Sequence, residues 1–149
     1  RSKLKGIQRN IQFLKEQGLE DDKIDAILDI IRNVSFSKNI HSKKKYSIEL
    51  QLVQDADRID AIGAIGIART FNYGGFKNRK IYDPDIKPKV YKSANDYVKS
   101  DAPTINHFYE KLLLLKDLMN TETGKKIAGE RHQYMEDFLH QFYKEWNCD

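Results

Sequence analysis

An all-α bundle is the fold this sequence predicts, and three observations predict it. Apolar residues recur at intervals of three and four through several long stretches, the signature of amphipathic helices. No stretch shows the apolar–polar alternation of a half-buried strand. Glycines, prolines and polar runs separate the periodic stretches. The 149 residues, 40% hydrophobic and 32% charged, suit one folded domain over 1–149 with its own core.

Leu4, Ile7, Ile11 and Leu14 mark a first helix, with Gly18 as its stop. Asp21 and Asp22 open a second, where carboxylates suit the positive end of the helix dipole. Ile24, Ile27, Leu28 and Ile31 form its inner face. Ser35 to Lys45 reads as a polar, basic connection carrying Lys38, His41 and the run Lys43-Lys44-Lys45. A third helix is expected from near Ser47 to about Phe71. Ile48, Leu52, Ile59, Ile62, Ile65 and Ile67 cover much of its circumference, which predicts a place at the centre of the bundle. Gly63 and Gly66 cost roughly 1 kcal/mol each relative to Ala in a helix, so close approach by a neighbouring helix or backbone is expected there. Gly74-Gly75 should end the element.

Periodicity lapses between Phe76 and Pro103, where Pro84 and Pro88 punctuate the chain and Tyr82 and Tyr91 lie. A stretch of this length is expected to be a functional loop, ordered by its aromatic residues and covering something. Ser93 and Asp96 predict one short capped helix through Lys99. A further helix should run from about Thr104 to Asp117, with Ile105, Phe108, Leu112 and Leu115 facing in. The last should start at Asn120 or Thr121, either a competent N-cap, and reach about Trp146. Its apolar stripe is Ile127, Met135, Phe138, Leu139, Phe142 and Trp146.

The net charge of +4 favours anionic ligands but is too modest to indicate nucleic acid. No apolar run is long enough to cross a bilayer. The single cysteine, Cys148, rules out an internal disulfide framework and fits a reducing compartment, so the cytoplasm is the expected location.

The chemistry concentrates between Val53 and Gly75. Asp55, Asp57 and Asp60 occupy three of six positions and are followed by a run of Ala, Gly and Ile. A buried carboxylate must be paired, protonated or bound to a metal. Asp57 and Asp60, three apart, share a helix face, while Asp55 points elsewhere. Two readings stay open: a metal ligand with a supporting carboxylate, or an ion-pair cluster with Arg58 or a nearby lysine.

The run Val53-Gln54-Asp55-Ala56-Asp57-Arg58-Ile59-Asp60-Ala61-Ile62-Gly63-Ala64-Ile65-Gly66 resembles the last motif of the HD-domain metal-dependent phosphohydrolases. It is most similar to a bacterial subgroup of small HD hydrolases, some of them nucleotide pyrophosphohydrolases. The resemblance continues through Ala68-Arg69-Thr70-Phe71, Tyr73-Gly74-Gly75 and Ile81-Tyr82-Asp83-Pro84, and resumes over Thr104 to Leu113. It implies an HD-domain-like helical bundle with a long ordered loop. In that family a His, an adjacent His-Asp pair and the Asp of the Ala-Asp-Arg motif hold one divalent metal. Only the last maps here, onto Asp57, and no His-Asp dipeptide occurs in the sequence. The resemblance therefore implies that this chain is the C-terminal part of such a domain, with the remaining ligands on helices preceding Arg1. The implied cofactor is a divalent ion, Mn, Mg or Fe, whose bound water attacks phosphorus. Asp60 is then the supporting carboxylate, and Asp55 an anchor on the N-terminal side of the helix.

The other candidates each carry an alternative. Arg58 pairs either a phosphate or a neighbouring carboxylate. Arg69 either meets substrate or ties the helix end to the loop. His107 and Asn106, at a helix start, either face an anionic ligand or cap the helix. Lys111, one turn on, reaches the same pocket or lies on a solvated face. Lys43-Lys44-Lys45 reads first as a solvated loop, and His132 and His140 as surface or packing residues. Phe71, Tyr73, Phe76 and Tyr82 stack a base or pin the long loop to the bundle, the second being the default.

Two functions of different kind follow. One is a metal-dependent phosphohydrolase acting on a nucleotide or related phosphoanhydride or phosphoester, with a phosphorylated small molecule as its ligand. The other is a non-catalytic helical module in which the acidic cluster is an ion-pair core and the basic loop docks a partner. Neither reading requires a membrane, and both are compatible with a homo-oligomer.

Overall fold

The computed structural model describes residues 2–34, 46–89 and 101–148. Its regular structure is helical, with no strand among the described residues. The chain divides into two compact units, Arg1–Val53 and Gln54–Asp149. The predicted connection over 35–45, with Lys38, His41 and Lys43 to Lys45, lies outside the described residues, as do Tyr91 and the predicted helix from Ser93 to Lys99.

In the first unit, α1 spans Ser2–Glu16 and α2 spans Asp21–Asn33. Gly18 ends α1 as expected, at φ +75°, with the Leu19 N–H donating back to the Leu14 carbonyl at 3.2 Å. The apolar face of α2 is narrower than predicted. Ile24 and Leu28 are buried, but Ile31 is 45% exposed. Helix α3, Ile48–Asp60, begins in this unit, its Leu50 N–H held by the Ser47 hydroxyl at 3.3 Å.

The second unit is organised on α6, Glu122–Asn147, whose N-cap is Thr121. The predicted continuous helix from Ser47 to Phe71 is broken: α3 ends at Asp60 and α4 spans Gly63–Phe76. Gly63 takes φ +78°, which a side chain strains to adopt. A Cβ on Gly66 would strike the Ala61 carbonyl. The close approach expected at these glycines is present, from Arg131 of α6 at Gly63 and from the Ala61 backbone at Gly66, but it serves a break between two helices rather than one long helix. The predicted central position of an all-round apolar helix also fails. Ile62 and Ile67 are buried, whereas Ile48, Leu52 and Ile65 are more than half exposed. Gly74 and Gly75 lie inside α4 instead of ending it, and Gly74 is pressed against Thr104.

The helix expected over Thr104–Asp117 is a short α5, Asn106–Glu110, followed by two 3₁₀ turns, Leu112–Leu114 and Lys116–Leu118. Lys111 leaves helical geometry at φ −146° and so breaks the run. Ile105, Phe108, Leu112 and Leu115 are nevertheless buried as predicted, because the tighter turns keep them on the inner side. The aromatic core joins Phe71, Phe108 and Phe138 at centroid distances of 5.8–6.0 Å. Tyr82 meets Phe142, Tyr143 and Trp146 edge-to-face at 5.2–5.9 Å, pinning the loop to α6. Backbone bonds from Thr104 to Lys80 and from Ile105 to Ile81 close the loop's ends.

The N-terminus of α6 is fastened by Asp55, which is 3% exposed. Its Oδ1 accepts from the Asn120 backbone at 2.8 Å and from the Asn120 amide at 3.0 Å. Its Oδ2 accepts from the Thr121 N–H and hydroxyl, both at 2.8 Å. Arg58 stands 3.6 Å from the same carboxylate and donates to the Leu118 carbonyl. Asp55 therefore anchors a helix start, as expected, but that of α6 rather than its own. Arg131 of α6 answers by donating to the Ile59 carbonyl at 2.6 Å. Removing one member of a buried charge pair typically costs about 3–5 kcal/mol. Asp55→Ala is expected to lose that much stability in urea denaturation; a loss below about 1 kcal/mol would show that other contacts hold α6 in place.

Candidate functional site

Helix α4 presents Gly66, Arg69, Thr70, Tyr73 and Gly74 at spacings of three and four, so they share one face. That face forms one wall of a cleft of ≈ 490 Å³. Thr104, His107 and Lys111, again at spacings of three and four, form the other, with Arg79, Ala61 and Leu112 completing it. The contact of Gly74 with Thr104 brings the two walls together, since a Cβ there would collide with the threonine hydroxyl.

The cleft is strongly cationic. Arg69, Arg79 and Lys111 line it around His107. Burial, then the neighbouring Lys111 and Arg79 charges, push His107 from its ordinary 6.5 down to about 4, so it is neutral at pH 7. Burial also lowers Lys111, with Arg69 acting in the same direction and the Asp57 carboxylate opposing. Asp60 pairs with Arg69 at the exposed rim. Positive side chains gathered on one cleft suit a multiply charged anion.

Of the predicted residues, Arg69, His107 and Lys111 line this cleft. Asp57 is exposed on α3, where its charge acts on Lys111. Asp60 is bound to Arg69. Arg58 is elsewhere: it is buried and takes the carboxylate partner the sequence allowed, together with the Leu118 carbonyl. Asn106 neither lines the cleft nor caps α5. It is buried and donates its amide to the Ile86 carbonyl at 2.9 Å, holding the loop. His132 is buried, the packing role the sequence allowed, and stands 3.2 Å from Glu136. Among the described residues no three His, Cys, Asp or Glu side chains converge to hold a metal. These residues do not by themselves complete a divalent ion's ligand set.

Arg79, Thr70 and Thr104 join the cleft unannounced. Tyr73, one of the aromatic residues the sequence offers for stacking a base, lines it as well, four residues beyond Arg69 on one helix face. Arg79 sits beyond the helix in aperiodic sequence and carried no such signal.

The depressed His107 has a consequence for stability. The folded protein binds fewer protons than the unfolded chain between about pH 4 and 6.5. This contribution is intact above 6.5 and is lost as the pH falls toward 4. His107→Gln should flatten the acid side of the stability profile measured by denaturation, and NMR titration should find no His107 protonation above pH 5; an apparent value near 6.5 would contradict the desolvated cleft.

No protein-family model matches the chain. Over 129 residues it is 38% identical to the uncharacterized protein YpgQ of Bacillus subtilis, covering 86% of this chain and 55% of that one. A crystal structure of a Lactobacillus plantarum protein superposes with a TM-score of 0.84 at 46% identity, covering 98% of this chain and 69% of the other. An HD-superfamily hydrolase from Bacillus thuringiensis superposes at 0.73 with 49% identity, over 97% and 64% of the two chains. YpgQ has also been solved in complex with ADP, at 34% identity and a TM-score of 0.72, over 93% and 61%. The chain thus spans just over half the length of its curated relative.

Proposed function

This chain belongs to the HD-domain superfamily, and from that membership we propose that it forms the substrate-binding part of a metal-dependent phosphohydrolase acting on a nucleotide or related phosphoanhydride. The observation that carries this reading is the convergence of Arg69, Arg79, His107 and Lys111 on one cleft. A nucleoside polyphosphate supplies the negative charge the cleft is built to take. The ADP complex of a relative supports the same ligand class.

The roles divide by chemistry. Lys111 is a point charge in a partly desolvated wall, so it grips a phosphate oxygen strongly. Arg69 and Arg79 offer planar forks to neighbouring oxygens. Asp60 holds Arg69 at the rim and fixes its direction. His107 stays neutral and can donate or accept a hydrogen bond without adding charge. Asp57 is the carboxylate we assign to the divalent cation, Mn, Mg or Fe.

Losing a charge-assisted hydrogen bond costs about 1.5–3 kcal/mol, roughly ten- to hundredfold in affinity. Lys111→Gln should weaken ATP binding by that factor in calorimetry, whereas unchanged affinity would remove the cleft from the reaction. In a full-length protein that also carries the His and His-Asp ligands, Asp57→Ala should abolish nucleotide hydrolysis in Mn²⁺ or Mg²⁺ with little change in Tm, because the side chain is exposed. Full turnover in that variant would refute the assignment.

A further inference from the structure

The four aromatic residues of the central stretch and loop have divided fates. Phe71 is locked between Phe108 and Phe138, and Tyr82 among the aromatic residues of α6. These two pin structure. Tyr73 and Phe76 do not: they are 53% and 79% exposed, although leaving a large aromatic face in water forfeits its burial energy. Tyr73 lines the cationic cleft, while Phe76 leans on it at 6.5 Å. The Arg79 guanidinium lies over the Tyr73 ring, 5.7 Å from its centroid, and lines the cleft too. The Lys77 ammonium lies over the same ring at 5.7 Å and over Phe76 at 5.5 Å.

We propose that Tyr73, braced by Phe76 and flanked by Arg79, is the platform on which the cleft stacks the base of a nucleotide whose phosphates Lys111 and Arg69 hold. The proposal rests on the phosphate-binding reading of the cleft and adds to it the selection of nucleotides over inorganic polyphosphates. Ring and guanidinium together form an amphipathic edge. The ring gives a π-face over which the Arg79 and Lys77 cations now lie and which any base can cover once their long side chains turn to its phosphates. A cleft of ≈ 490 Å³ is large enough for such a ligand. An exposed aromatic pair beside a phosphate cleft gains its burial only when a base arrives.

Calorimetric titration with ATP and with inorganic tripolyphosphate, on the wild-type protein and on Tyr73→Ala, Tyr73→Phe and Lys111→Gln, decides the matter. Stacking is worth about 1–3 kcal/mol per base, so Tyr73→Ala should weaken ATP about tenfold and leave tripolyphosphate unchanged. Tyr73→Phe should keep ATP affinity. Because Tyr73 is exposed, matching thermal unfolding of the variants confirms that folding is unaffected. If Lys111→Gln weakens both ligands but Tyr73→Ala weakens neither, or both equally, the platform is overturned and the phosphate cleft stands. If Lys111→Gln leaves both ligands unaffected, the cleft reading falls and the platform with it.

Discussion

A single buried carboxylate holds the second unit in register. Asp55 accepts from two consecutive backbone N–H groups and two side chains at the start of α6. A charge withdrawn from water this completely is tolerable only when its lone pairs are answered. The requirement fixes the start of α6 against α3 to hydrogen-bonding tolerance. Arg58 of α3 ties in the preceding 3₁₀ turn through the Leu118 carbonyl, and Arg131 of α6 returns to α3 through the Ile59 carbonyl. The segment carrying His107 and Lys111 enters this junction directly, by way of the 3₁₀ turn ending at Leu118. Its other end is held where Thr104 fits against Gly74. One wall of the cleft is thereby strung between two fixed points.

Three acidic residues within six positions consequently do three different things. Asp55 is spent on structure. Asp60 steadies Arg69 at the rim. Asp57 remains exposed and acts on Lys111 across the cleft's edge. The ion-pair core imagined for a non-catalytic module does exist, as Asp55 with Arg58, but it is separate from the carboxylate that the family resemblance singles out. The cleft gathers Arg69, Arg79 and Lys111 around His107, which burial first and the Lys111 and Arg79 charges second keep neutral.

The helical character, the end of α1, the start of α2 and the cap of α6 were legible because they depend on local rules: glycine at positive φ, carboxylates in a first turn, a threonine accepting from the N–H three residues on. The division of Asp55 from Asp57 and Asp60 was legible for the same reason, since helix spacing alone separates them. The break at Ala61-Ile62 was not. It depends on Gly63 and Gly66 yielding to Arg131 and to the Ala61 carbonyl, contacts that helix propensity does not encode. Asn106 was misjudged because its partner, the Ile86 carbonyl, lies twenty residues away in an aperiodic loop. Arg79 was invisible for a like reason, while Arg69, His107 and Lys111, candidates from the sequence, line one cleft.

The most direct test is a crystal structure of the protein with a non-hydrolysable ATP analogue. The account places phosphate oxygens within about 3.2 Å of the Lys111 ammonium and of the Arg69 or Arg79 guanidinium, between the walls formed by α4 and α5. Phosphates bound on another surface, with those three side chains unengaged, would contradict it.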